Sequence, residues 1–173
     1  EISAAKPFVE HDFELNDGSI LRIRGVNSTI VSFENDDDGD NKLVVGSFQA
    51  TMPEQDGVEY LLMCHHPYDW LLDHDKRQDH WNSRAKIQLF GHKHRQRVQQ
   101  IDSSVVMGAG AVQPSEREAP WEPRFNVLNI STHLEGEQRF LEVEVFSRVW
   151  KEEDQAFNPD FTRDGLESKK YKL

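Results

Sequence analysis

Short apolar runs separated by polar turn residues predict a protein rich in β-strands. Near the amino terminus, two alternating segments flank Asn16-Asp17-Gly18, a sequence typical of β-hairpin turns. The runs EYLLMC and AKIQLF are continuously apolar and of strand length, which predicts strands that are buried on both faces. Four more strands are predicted downstream, in the segments RVQQI, SVVMGAG, FNVLNIS and RFLEVEVFSRVW.

The segments between and after these runs predict the remaining elements. The sequence WLLDHDKRQDHWNSR, residues 70–84, predicts a helix with Trp70, Leu71 and Trp81 facing inward. A helix at this position can cross over the sheet, so the strands on either side of it are expected to be parallel neighbours. The periodicity of KLVVGSFQATM fits either a short strand or a helical turn. Residues 151–173 have weak apolar periodicity and high charge, which predicts a tail or linker.

Composition and charge exclude several functions. The chain has 173 residues, enough for one domain, and its formal net charge of −11 argues against general binding to nucleic acids or anionic membranes. The acidic segment 32–42 has Val45 where a calcium-binding loop needs Glu, so a solvated turn is the favoured interpretation. No apolar run approaches the ~18 residues of a membrane span, and no signal peptide is visible. Cys64 is the only cysteine, which excludes an internal disulfide and suits a reducing cytosol.

Histidines follow two of the predicted buried strands. HHP comes directly after EYLLMC, and GHKH comes directly after AKIQLF. Because ligands in open α/β sheets bind beyond the carboxyl ends of strands, the imidazoles of His65, His92 and His94 are expected at one rim. Gly91 would allow the backbone to turn tightly into such a site.

The spacing of these histidines suggests metal ligands. In an extended chain, residues i and i+2 point to the same side about 6.6 Å apart, and the two ions of a phosphate-cleaving pair lie about 3.5–4 Å apart. His92 and His94 could therefore each bind a different ion. Adjacent His65 and His66 should point to opposite sides, so only one of them is expected to be a ligand.

Together, HHP and GHKH resemble the last two motifs of the calcineurin-like metallophosphoesterases. The resemblance covers roughly residues 21–147 and implies that His65 and His92 bind one metal ion and His94 the other. It further implies two divalent ions of the Mn, Fe or Zn type and an αββα fold with two sheets. The implied reaction is hydrolysis of a phosphodiester or nucleotide by a metal-activated hydroxide.

The first three motifs of that family, Asp-x-His, Gly-Asp-x-x-Asp and Gly-Asn-His-Asp/Glu, do not occur in the chain. The prediction is therefore an α/β fold that forms half of an αββα metallophosphoesterase sandwich. Residues 1–150 would be the carboxyl-terminal half of the domain, and residues 151–173 a charged tail or linker. The first residue, Glu1, agrees with this interpretation. The expected partners are a phosphoester substrate and the missing amino-terminal half, without which the chain should be inactive.

Three neighbouring residues have alternative interpretations. His66 could contact substrate or hold its loop in place. Asp69 could support the metal ligands, but the favoured interpretation is that it caps the following helix. Lys93 could neutralise a phosphate, but the favoured interpretation is that it points into solvent. No catalytic residue of the chain is assigned.

Two other functions remain open at the level of sequence. The chain could be a half-domain without activity that serves as an interaction or regulatory module. It could also hold one structural zinc ion with His65, His92, His94 and an acid such as Asp69.

Overall fold

The structure of the chain is a computed structural model that describes residues 6–31, 43–115 and 121–173. These residues form a mixed α/β fold with two β-sheets and few helices, which confirms the predicted α/β class. In spatial order, the first sheet consists of β1 (Val9–Glu14), β2 (Ile20–Val26), β3 (Val58–Cys64), β4 (Ala85–Phe90), β6 (Ser104–Gly108) and β5 (Arg97–Ile101). In the second sheet, β10 (Lys169–Lys172), β8 (Gln138–Lys151) and β7 (Arg124–Glu135) are neighbours, and β9 (Ala156–Pro159) also pairs with β8.

The predicted hairpin forms the edge of the first sheet. Strands β1 and β2 pair antiparallel, and the backbone N–H of Leu15 donates to the carbonyl of Ser19 across the turn. Gly18 has a φ of 82°, in the left-handed region that glycine adopts without steric cost. The Asp17 carboxylate accepts a 3.0 Å hydrogen bond from the backbone N–H of Ser19, which closes the turn from within.

The middle of the first sheet is parallel, as predicted. Strands β2, β3, β4 and β6 run in the same direction, and β3 and β4 are neighbours. The chain between β3 and β4 contains a 3-10 turn (Tyr68–Trp70) and helix α2 (His74–Arg84). The helix begins later than predicted because Leu71 is extended and forms a parallel bridge with Leu43.

The segment whose periodicity was ambiguous contains both kinds of structure. Its first residue in the described ranges, Leu43, takes part in the bridge, and Ser47–Ala50 forms the single-turn helix α1. The acidic segment 32–42 lies outside the described residues. Within the described ranges, no helix combines the length and apolar character needed to cross a lipid bilayer.

Each face of the first sheet carries a separate hydrophobic core. Tyr60 and Leu62 of β3 face the helices, where they pack with Leu71 and Trp81. Leu61, between them in the chain, faces the second sheet and packs with residues of β8 and β10. This explains the continuous apolar runs, because alternate residues of one strand enter different cores. Full burial of one such side chain contributes roughly 1.5–3 kcal/mol.

Polar side chains fasten the hairpin turn to the second sheet. Asn16 accepts a 2.7 Å hydrogen bond from the backbone N–H of Thr132, and its amide donates to the Thr132 carbonyl at 2.9 Å. Arg139 of β8 binds Asp17 at 2.7 Å and Glu59 at 2.8 Å. We call these five residues the turn clamp. It holds the two sheets together at the amino-terminal ends of the parallel strands.

The prediction of a charged tail over residues 151–173 is wrong. This segment contributes β9 and β10 to the second sheet, with Tyr171 buried in the core between the sheets. Phe157 of β9 packs against Phe125 and Trp150 at ring-centroid distances of 4.9 and 5.3 Å. The sequence pattern was weak because a four-residue edge strand places only one large apolar side chain in the core, and its other residues are lysines.

Candidate metal centre

The carboxyl ends of β3 and β4 meet at one rim of the first sheet. Their last residues, Cys64 and Phe90, are register partners, so the residues that follow are adjacent in space. The backbone N–H of Gly91 donates to the carbonyl of His65 at 3.0 Å. A Cβ atom at Gly91 would lie 3.3 Å from both Nδ1 and the carbonyl oxygen of His65. Glycine therefore allows the second histidine loop to approach the first this closely.

A strained backbone directs His92 into the site. Its φ is 64°, and the N–H of Lys93 donates to the carbonyl of Gly91 at 2.8 Å, which closes a three-residue γ-turn centred on His92. His94 also has a positive φ, 49°. Such conformations cost non-glycine residues of order 1–3 kcal/mol and cluster at functional sites.

His65 and His92 make direct contact. Nε2 of His65 lies 3.0 Å from Nδ1 of His92, and the two rings are perpendicular, with centroids 5.0 Å apart. Two imidazole nitrogens bound to one tetrahedral zinc ion at the usual bond length would lie roughly 3.3 Å apart. The two nitrogens are within hydrogen-bonding distance of each other, and this separation is also close to that of two ligands of one ion.

His66 completes a group of three imidazoles. Its ring centroid lies 4.7 Å from those of both His65 and His92, and one ligand atom from each of the three lies within 4.8 Å of the others. The expectation that His65 and His66 point to opposite sides is wrong, whereas the expectation that only one of them is a metal ligand stays a prediction. Alternation applies within a strand, but β3 ends at Cys64, and the chain bends at the two histidines.

His94 is not a member of this group. Its side chain is exposed, and it lies outside the only set of three or more potential ligands found in the described ranges. Only an extended chain would place its side chain beside that of His92, and both residues have a positive φ. Its assignment as ligand of a second ion stays a prediction.

Electrostatics favour the neutral form of His65. Partial burial lowers the pKa of this imidazole, and nearby His92 and His94 lower it further. A neutral imidazole offers the lone pair that a metal ion requires. His65 is therefore suited to bind a cation at neutral pH.

Asp69, Trp70 and Lys93 form one wall of the site. The Trp70 ring stacks on His66 at 5.7 Å and meets His92 edge-on at 4.6 Å. The Lys93 ammonium binds the Asp69 carboxylate at 2.6 Å and lies 5.9 Å from the Trp70 ring centre. Asp69 does not cap helix α2, whose N-cap residue is Asp73. Lys93 does not simply point into solvent as expected, since it links the GHKH loop to the 3-10 turn.

Ser28 is a site residue that the sequence analysis missed. It is buried, and its hydroxyl lies 3.0 Å from Nδ1 of His66 and accepts a 3.3 Å hydrogen bond from the backbone N–H of His66. Ser28 follows β2, and the last residue of that strand, Val26, pairs with Cys64. The sequence VNST follows a predicted strand, which could have pointed to Ser28. Its role at the site becomes recognisable only once β2 and β3 are known to be neighbours.

An open apolar groove lies beside His65. It follows the carboxyl ends of β2, β3 and β4 and has a volume of about 680 Å³. Val9, Met63 and Leu89 are among its lining residues, and Met63 is 46% exposed although β3 is a central strand. A smaller cavity of about 230 Å³ continues from Leu89 towards Phe125 of β7. The second sheet therefore does not cover this end of the first sheet.

The site thus belongs to a mixed α/β protein with a cluster of imidazoles at the rim of a parallel sheet. Neutral imidazoles suit Zn²⁺, Fe²⁺, Co²⁺, Ni²⁺ and Cu²⁺ better than Mg²⁺ or Ca²⁺. A comparison with models of known protein families gives no match, and a comparison with curated proteins gives none either.

Proposed function

We propose that this chain is the carboxyl-terminal half of a calcineurin-like metallophosphoesterase domain, which in complete form hydrolyses a phosphodiester or nucleotide. The observation that carries the proposal is the 3.0 Å approach of His65 and His92, each directly after one of two neighbouring parallel strands. The resemblance of HHP and GHKH to the last two family motifs supports it. The two-sheet fold agrees with half of an αββα sandwich.

In this proposal, His65 and His92 hold one divalent ion of the Mn, Fe or Zn type, and His94 contributes to a second. Bound ions would supply an activated water and would neutralise charge on the phosphoester oxygens. In the same proposal, Lys93, which is paired with Asp69 at the rim, contacts an oxygen of the phosphoester. Trp70 packs on the imidazoles and excludes water from one side of them.

The chain needs additional ligands before it can hold two ions. In the described part of the chain, no Asp or Glu belongs to the histidine group. We assign the missing carboxylates to an amino-terminal half of the domain, which would pack in the apolar groove beside His65. The single cysteine, Cys64, is buried and forms no disulfide within the chain, and the proposal places the protein in the cytosol.

The test compares the 173-residue chain with the natural protein that contains it, using bis(4-nitrophenyl) phosphate and Mn²⁺. The longer protein should hydrolyse this diester, and the chain alone should not. His92→Ala in the longer protein should remove most of the activity, whereas the control His133→Ala, at an exposed position of β7, should not. Chelator-sensitive turnover by the chain alone would contradict the half-domain. An inactive longer protein would contradict the phosphoesterase.

The alternative is a half-domain without activity that acts as an interaction or regulatory module. The exposed apolar groove favours it, because contiguous apolar surface marks contact sites. Light scattering decides whether the surface is used. Self-association or a retained companion polypeptide would support the proposal that the groove binds a partner. A stable monomer of about 20.1 kDa would contradict that proposal.

A further inference from the structure

We propose that His65, His66 and His92 bind a single divalent ion of the Zn²⁺, Co²⁺ or Ni²⁺ type, without His94, and that Ser28 positions His66 for this role. This inference goes beyond the proposed phosphoesterase and does not depend on it. It uses His66, which the motif resemblance does not assign to a metal, and it applies to the chain as it stands.

The three rings form a nearly equilateral triangle. Their centroid distances are 5.0 Å for His65 and His92 and 4.7 Å for each of the pairs with His66. The ligand nitrogens lie within 4.8 Å of one another. Rotation of the rings that moves these nitrogens by about 1 Å would let them converge on one tetrahedral ion. The geometry therefore favours one ion.

Ser28 determines which nitrogen of His66 can bind the ion. Its hydroxyl contacts Nδ1 of His66 at 3.0 Å and also accepts from the His66 backbone N–H at 3.3 Å. The same oxygen can accept a hydrogen bond from Nδ1–H, and in that tautomer Nε2 carries the lone pair. Histidine ligands of metals characteristically donate their other ring N–H to such a partner.

Burial and packing hold the His66 ring in place. The residue is 2% exposed, and Trp70 stacks on its ring at an interplanar angle of 20°. An imidazole buried this deeply and fixed on two sides has little conformational entropy to lose when it binds an ion. On the other side of the site, the groove beside His65 leaves space for a water molecule as the fourth ligand.

The metal type follows from the donors. All three are imidazoles, and in the described residues no carboxylate joins them. Borderline ions such as Zn²⁺, Co²⁺ and Ni²⁺ prefer nitrogen, whereas Mg²⁺ and Ca²⁺ require oxygen. The site should therefore discriminate strongly between these two classes.

The experiment uses the full 173-residue chain and has two readouts. Calorimetric titration with Co²⁺ should give one ion per chain, with the visible absorption of tetrahedral cobalt, and no heat of binding for Mg²⁺. Long-range ¹H–¹⁵N spectra with Zn²⁺ should shift the ring nitrogens of His65, His66 and His92 and leave those of His94 unchanged. His66 in the zinc-bound chain should show the tautomer with the proton on Nδ1.

Matched variants separate a role of Ser28 in positioning His66 from a general effect on the stability of the fold. Ser28→Ala should weaken Co²⁺ binding by about 10–100-fold and alter the tautomer signal of His66. His66→Ala should weaken binding more, and His94→Ala should leave it unchanged. Two bound ions, zinc shifts at His94 instead of His66, or no binding at all would overturn the inference. The wild-type spectra decide the question even if a variant does not fold, and failure of diester hydrolysis would leave the inference intact.

Discussion

Nε2 of His65 lies 3.0 Å from Nδ1 of His92, although the two residues are 27 positions apart in the chain. The contact arises from the sheet rather than from either loop. Parallel strands β3 and β4 end in register at Cys64 and Phe90, so each strand delivers its histidine to the same rim. A change that shifts this register by one residue would displace the two histidine loops relative to each other by about 3.3 Å along the strands.

Gly91→Ala should weaken binding of Co²⁺ by about 10-fold, in the range expected when a supporting contact of a metal ligand is disturbed. The added Cβ would lie 3.3 Å from the Nδ1 atom and the carbonyl of His65, so the ring must move by a few tenths of an ångström. Calorimetric titration measures the effect. Gly46→Ala is the matched control, because a Cβ there meets nothing within 4 Å. Equal affinities for both variants would show that the close approach of Gly91 does not position His65.

His92→Gly should give a more stable apo protein than His92→Ala, by about 1 kcal/mol. Both substitutions remove the imidazole, but only glycine adopts a φ of 64° without strain. Urea denaturation without metal measures the difference. The control is His133, in the extended strand β7, where glycine should be less stable than alanine. If the alanine variant is the more stable one at both positions, the γ-turn at His92 is not strained.

Arg139→Ala should lower the free energy of unfolding by on the order of 1 kcal/mol, because it removes the turn clamp's two partly exposed ion pairs. Arg163→Ala, at an exposed position outside the clamp, should have little effect. Arg139 also helps Ser19 to hold the pKa of Asp17 well below its usual range. The contribution of the Arg139–Asp17 pair is therefore present above about pH 4, the ordinary pKa of an unfolded Asp, and is lost as the pH falls further. The difference between wild type and Arg139→Ala should accordingly shrink in strong acid.

His80→Gln should reduce the loss of stability in mild acid. Nε2 of His80 accepts a 3.2 Å hydrogen bond from the backbone N–H of Met52, which requires a neutral ring. Burial, followed by Arg84 and Arg77, lowers the pKa of His80 below 6.5. Because the folded pKa is the lower one, this contribution is complete above about pH 6.5 and declines as the pH falls towards the folded pKa.

The measurement is the urea midpoint at pH 8, 6 and 5 for wild type and His80→Gln. Glutamine can accept the same hydrogen bond through Oε1 but does not titrate in this range. The wild type should lose more stability between pH 8 and pH 5 than the variant. Parallel pH profiles would show that His80 does not contribute to acid sensitivity.

The sequence pattern predicted the parts of the fold that depend on local periodicity and turn chemistry. The hairpin around Gly18 and the parallel pair β3 and β4 follow directly from such signals. Strand β10 could not be predicted because its pairing with β8 leaves one apolar residue, Tyr171, as its sequence signal. Pairing across a sheet is a tertiary relationship, and single short strands carry little trace of it.

The site was predictable in its location but not in its full membership. His65 and His92 follow strands and could be placed at one rim from the order of elements. His66 and Ser28 could not be placed, because their roles depend on where β3 bends and on which strand adjoins it. His94 was placed with the rule for extended chains, and the left-handed loop does not obey that rule.

The turn clamp has a consequence for the order in which the chain folds. Strands β7 and β8 are joined by a two-residue turn, so they can pair locally and early. Asn16 and Thr132 are 116 positions apart, so their contact closes a very long loop and must form late. Interactions absent from the folding transition state act on the unfolding rate. The clamp should therefore slow the separation of the two sheets during unfolding and have little effect on the rate at which they associate during folding.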